Sequence, residues 1–145
     1  MKKIHAYILR HGGFGEGELL RLLAGHPAVA AVRAVSRDHA DLPFWKVHPH
    51  LRGLVEGRFD SEPDWRWLTD SPQPVMFSVL EDQALASQLP ALEKKWAELG
   101  LAERLVLMDL SPDFRLDHPG RYAATHARPH PAPELLGRVG YGLPE

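Results

Sequence analysis

A glycine-rich turn, His11-Gly12-Gly13-Phe14-Gly15, follows an apolar run directly and leads into a leucine-rich stretch. Between a strand and a helix, glycines allow a tight bend and a close approach of backbone to phosphate. The helix that follows adds the positive end of its dipole. Gly12, Gly13, Phe14 and Gly15 are therefore candidates to contact a nucleotide cofactor. The same turn also reads as a plain strand-to-helix connection, and both readings stay open at this point.

Other residues could do different chemistry. Asp109, Ser111, Asp113 and Arg115 carry groups capable of acid–base work, but no serine–histidine–carboxylate arrangement can be read from them. Fixation of a loop by hydrogen bonds is the simpler assignment. Nine histidines raise the question of metal, above all His48-Pro49-His50 and the pair His126 and His130. These lie in proline-stiffened segments without the spacing of a recognisable metal motif, so no metal site is assigned. The sequence contains no cysteine, which removes disulfides, thiolate ligands and a cysteine nucleophile from these residues together.

The elements that must position these groups follow from the apolar pattern. Residues 2–9 form a nearly continuous apolar run, as a parallel strand covered on both faces requires. Residues 16–24 set Leu19, Leu20, Leu22 and Leu23 on one side of a helix, with Gly25 as its cap and Pro27 as its stop. Residues 29–35 give a second strand. Strand, glycine turn, helix and strand within a few tens of residues is the unit of doubly wound α/β folds, and the right-handed crossover makes the two strands parallel. From 36 to 74 repeated prolines and glycines predict loops, with an edge strand over 54–59 and with Trp65 and Trp67 covering part of the core. A strand over 75–80, a helix over 83–99 kinked or restarted at Pro90 and closed by Gly100, and a strand over 104–110 follow. The rest reads as a loop-rich tail from about 111, with a short helix over 133–137. The expectation is one Rossmann-like α/β domain spanning 1–145, doubly wound, with a mainly parallel sheet and helices on both faces.

A net charge of −2 with interspersed signs offers no basic footprint for nucleic acid, and no apolar run is long enough to span a membrane. No export signal is legible at the N-terminus, and a cytoplasmic location is expected.

Several stretches together resemble the N-terminal, NADP-binding half of N-acetyl-gamma-glutamyl-phosphate reductase and its relatives in the semialdehyde dehydrogenase group. They are Gly17-Glu18-Leu19-Leu20-Arg21-Leu22-Leu23 with His26-Pro27, Val35-Ser36-Arg37, Val47-His48-Pro49-His50-Leu51-Arg52-Gly53, Asp109 to Leu116, and His130-Pro131-Ala132-Pro133-Glu134-Leu135-Leu136 leading into Tyr141-Gly142-Leu143-Pro144-Glu145. The resemblance implies a Rossmann-like cofactor domain. It also implies an enzyme that reduces an acyl phosphate through a cysteine thioester, with hydride from NADPH. Ser36 and Arg37 would meet the adenosine 2′-phosphate, and the family's cysteine is expected shortly beyond Glu145.

Two departures accompany the resemblance. On the family's Gly-x-x-Gly-x-x-Gly spacing this chain has Arg10, Gly13 and Glu16, and its other glycines (Gly12, Gly15 and Gly17) stand elsewhere. Glu16 is expected to set a carboxylate against an incoming pyrophosphate. Val79-Leu80-Glu81-Asp82 replaces the family's Leu-Pro-His-Gly and brings two carboxylates to the same edge. The expected function is a stand-alone NAD(P)-binding-type domain, non-catalytic by itself, with NADP binding weakened or lost. The alternatives are the cofactor component of a split NADPH-dependent reductase of arginine or lysine biosynthesis, and a protein-interaction module. A homo-oligomer, or docking on a reductase-like partner, is the expected association.

Overall fold

The structure is a computed structural model that describes residues 3–10 and 13–142, without the side chain of Arg10. Gly12, one of the candidate cofactor contacts, lies outside the described residues.

Four strands form one all-parallel sheet: β1 (Ile4–Arg10), β2 (Val29–Val35), β3 (Gln73–Val79) and β4 (Val106–Asp109). Their order across the sheet is β2-β1-β3-β4. Helix α1 (Phe14–Gly25) connects β1 to β2, and α4 (Ala84–Glu98) connects β3 to β4. Short helices α2 (Phe44–Val47) and α3 (Trp65–Thr69) lie in the long connection from β2 to β3, and α5 (Pro119–His126) lies in the tail.

Alternation along β1 divides the core in two. Ala6 and Ile8 pack with Leu20, Leu23, Phe44 and Phe59 on the α1 side. Tyr7 and Leu9 pack with Met76, Leu85, Leu89 and Trp96 on the α4 side. Helices on both faces of a parallel sheet make the fold doubly wound, as the apolar runs imply.

Some local expectations change. Residues 54–59 form no strand, and only isolated bridges, Val35 with Asp60 and Pro43 with Arg58, tie this connection down. Gly25 is the last helical residue rather than the cap. His26 caps α1 in extended conformation, its ring Nδ1 accepting from Ala28 N–H at 3.1 Å. Pro90 sits on the exposed side of α4, and the helix runs through it unbroken to a left-handed Gly100 at φ 68°. The tail holds the unforeseen α5, while residues 133–135 form a single 3-10 turn.

The β2–β3 connection is pinned by a polar network. Arg33 on β2 grips Asp60 with two N–H donors, at 2.9 and 2.7 Å, and reaches Asp64 at 2.7 Å. The Tyr7 hydroxyl on β1 donates to Asp60 and accepts from Asp64 N–H. Burial, then the bond to Asp60, raises the Tyr7 phenol well above its ordinary range. Asp64 in turn accepts from Trp67 N–H and starts α3. Residues 60–65 are thereby held against the carboxyl ends of β1 and β2.

Candidate nucleotide-binding site

The strand order reverses direction at β1: the chain crosses to β2 on one side, then returns to place β3 on the other. In open α/β sheets the crevice beyond the carboxyl ends of the strands at such a switch point is where ligands bind. The ends of β1, β2 and β3 lead there to the glycine turn, to Ser36-Arg37 and to Leu80-Glu81-Asp82 respectively.

Gly13 is the N-cap of α1 at φ 121° and ψ 170°, a backbone region that only glycine occupies without strain. Phe14 opens the helix and is almost fully exposed. A Cβ on Gly15 would touch Val79 Cγ1 at 3.6 Å, an ordinary contact, so the helix start lies close against the end of β3. Gly17 is the tighter position, because a Cβ there would fall 2.7 Å from His48 Nδ1.

Glu16 does not take the place expected of it. Its side chain is fully buried, and a carboxylate oxygen lies 2.8 Å from His48 Nε2. The carboxylate is turned down into the fold instead of standing over the helix end. As a first-turn acid it still complements the helix dipole.

The second carboxylate foreseen at this edge is also engaged. Asp82 receives Arg128 and the Tyr122 hydroxyl (3.3 Å), with His126 Nδ1 at 3.9 Å. Burial opposes its ionised form, but the Arg128 guanidinium outweighs this, and the carboxyl titrates below its usual range. Helix α5 and the residues after it thus neutralise an acid that sequence alone leaves bare.

Between β2, α3 and α4 lies a cleft of about 550 Å³, a size typical of small-molecule sites. Trp65, Leu80 and Leu92 give it apolar walls, and Ser36, Arg37 and Glu62 form its polar rim. Ser36 is buried, with Oγ 3.1 Å from His39 Nδ1 and its N–H donated to Asp60 C=O. Arg37 is exposed and paired with Glu62 at 2.7 Å. A surface ion pair of this kind is worth about 0–1 kcal/mol, so the guanidinium can be exchanged onto a phosphate at little cost. A larger groove of about 730 Å³ runs under Trp45 and Arg52 beside β2, away from the strand ends.

The family described as "Semialdehyde dehydrogenase, NAD binding domain" matches residues 11–145. The chain belongs to this family. Among its relatives, the N-acetyl-gamma-glutamyl-phosphate reductase of Nitrosococcus oceani is 39% identical over 142 residues, which cover 98% of this chain and 38% of the relative. The LysW-L-2-aminoadipate 6-phosphate reductase of Deinococcus radiodurans is 34% identical, over 95% of this chain and 36% of its own length. The LysW-L-2-aminoadipate/LysW-L-glutamate phosphate reductase of Sulfurisphaera tokodaii is 36% identical, over 98% and 38%. The chain therefore spans less than two fifths of the length of these reductases and corresponds to their NAD-binding domain.

Within this semialdehyde dehydrogenase domain, Gly13, Phe14 and Gly15 stand at the head of α1, and Ser36 and Arg37 stand at the end of β2, all at the carboxyl edge of the sheet. Sequence reasoning missed Glu62 and Trp65 as cleft residues and Arg128 as the partner of Asp82. Only the Asp64 cap before Trp65 could have signalled α3, because a five-residue helix carries no readable periodicity. The Asp109–Leu116 stretch fixes a loop. Ser111 Oγ donates to Asp109 at 2.7 Å, and buried Asp113 accepts Gln83 N–H at 2.6 Å and Ala86 N–H at 2.9 Å, capping α4 from a distance in sequence. Burial raises the Asp113 carboxyl pKa despite these two donors. His130 Nδ1 accepts Ala132 N–H, which leaves Nε2–H to donate to the Asp113 carbonyl at 3.0 Å. Among the described residues no group of three or more histidine and carboxylate side chains could hold a metal, and no helix is long and apolar enough to cross a membrane.

Proposed function

We propose that this domain binds NADP with its adenosine end in the cleft beyond β1, β2 and β3, weakly, and without catalysis of its own. The observation that carries the reading is Arg37. It stands at the cleft rim on the end of β2, held only by an exposed pair with Glu62. An arginine in that place favours a 2′-phosphate over a free ribose hydroxyl. Trp65 and Leu80 offer apolar surface to the adenine, and Gly13 leaves room for pyrophosphate at the head of α1. Bound NADPH would supply hydride.

The weakening follows from charge and spacing. Glu62 and Asp38 share the rim with Arg37, and Arg10 and Glu16 occupy two positions of the family's glycine pattern. The 145 residues contain no cysteine, so a thioester-forming nucleophile has to come from elsewhere. Isothermal titration is the test. NADPH is expected to bind more weakly than micromolar and more tightly than NADH, and Arg37→Ala should abolish that preference. Micromolar binding removes the weakening, and equal binding of the two cofactors removes the role of Arg37.

A second reading rests on the coverage of the relatives. Because the chain matches only the NAD-binding part of longer phosphate reductases, it can act as the cofactor half beside a cysteine-bearing polypeptide. Reduction of an acyl phosphate by a mixture, and by neither component alone, supports this reading, whereas an inactive mixture counts against it.

A further inference from the structure

β4 is an edge strand, and neither its faces nor its outer rim is finished. Leu110 N–H donates inward to Ser78 C=O, so alternation places the N–H and C=O of Leu107 and Asp109 on the outer side. Native edges are commonly blunted by charge, proline or a covering element. Here Val106, Met108 and Leu110 project on the α1 side at 42%, 47% and 44% exposure, because α1 packs over β1 and β2. On the opposite side lies a groove of about 610 Å³ lined by Leu89, Trp96, Leu105 and Leu107. The buried Trp96 Nε1–H beside it has no acceptor among the described residues.

The charges at the two ends of β4 decide what fits. Glu103 precedes the strand and is exposed. Arg115 folds back from beyond it, its guanidinium 3.3 Å from the Leu110 and Ser111 carbonyls. Neither makes an ion pair among the described residues. We propose that β4 is a self-association surface, on which a second copy of this chain pairs its own β4 antiparallel about a two-fold axis. Such a contact is self-complementary. It sets the Val106, Met108 and Leu110 stripes of the two copies side by side and supplies partners for Leu107 and Asp109. It also sets the start of each strand against the end of the other, which brings Glu103 of each copy toward Arg115 of its mate. A parallel strand from another polypeptide would gain the same backbone bonds without this reciprocal charge match.

Sedimentation of the full chain over a concentration series tests the proposal, with circular dichroism to show that each variant is folded. The expected result is a monomer–dimer equilibrium. Met108→Lys, at an exposed position, and Glu103→Arg should each weaken it at least about tenfold. Combining Glu103→Arg with Arg115→Glu should restore most of the loss, which general surface stickiness would not do. In the dimer the Leu107 and Asp109 amides gain protection from hydrogen exchange. A chain that stays monomeric at every soluble concentration overturns the proposal. So does a dimer indifferent to Met108→Lys or not rescued by the double charge reversal. A monomer that instead forms a one-to-one complex with a longer reductase of the family overturns it in favour of a donated strand.

Discussion

The Glu16 carboxylate meets His48 Nε2 at 2.8 Å inside the fold, joining the first turn of α1 to the connection between β2 and β3. Removing one partner of a buried pair leaves the other group desolvated, at a cost of about 3–5 kcal/mol. His48→Ala is therefore expected to lower stability by about 3 kcal/mol or more in urea denaturation. A double-mutant cycle with Glu16→Gln should show coupling between the two sites. A cost below about 1 kcal/mol would mean that the carboxylate finds water when its partner is removed.

The neighbouring glycines are expected to respond in opposite directions. A methyl on Gly17 meets the His48 ring, so Gly17→Ala should cost about 1–3 kcal/mol, as over-packing usually does. Gly15→Ala makes an ordinary contact with Val79. Its helix-propensity gain of about 0.5–1 kcal/mol should raise the melting temperature while reducing NADPH binding. Thermal scans and titrations of both variants check the pair.

Tyr7 predicts alkaline behaviour. Burial and the bond to Asp60 raise its phenol above the ordinary value of 10.0. A raised pKa in the folded state contributes stability that is fully present below the unfolded value and is lost as pH rises through the folded one. Stability should thus decline above pH 10.0, and Tyr7→Phe should flatten that decline. A tyrosinate absorbance titration in which all tyrosines ionise together, before unfolding, would contradict the assignment.

Asp113 caps α4 through the N–H groups of Gln83 and Ala86. Asp113→Ala strands both donors and should cost about 1–2 kcal/mol, whereas Asp113→Asn keeps one acceptor and should recover part of it. Hydrogen exchange ought to localise the loss to the start of α4, and a uniform loss across the sheet would argue against a capping role.

The strands and α1 were legible because their information is local: apolar runs at 4–9, 29–35 and 75–79, and a leucine stripe over 19–23. What was not legible depends on contacts distant in sequence. Nothing near Asp82 announces Arg128, and nothing near Glu16 announces that His48 draws its carboxylate inward. The first pair makes the carboxyl edge less hostile to phosphate than its residue types suggest, and the second does the same for the head of α1. Helix α5 escaped notice because Pro119 and Gly120 read as loop, although a proline at the first helical position is compatible with a helix start.

The central place of β1 in the sheet also constrains the order in which the chain can fold. This strand is made first, yet it lies between two neighbours, pairing with β2 a short way along the chain and with β3 only through the register of Ile4 with Gln73. Closing that longer loop requires the whole β2–β3 connection, and non-local pairing of this kind slows folding. The β1–α1–β2 unit can therefore assemble early while the other side of β1 waits. Cleft residues 62–65, tied to Tyr7 and Arg33 through Asp60 and Asp64, close over the strand ends only after that connection settles.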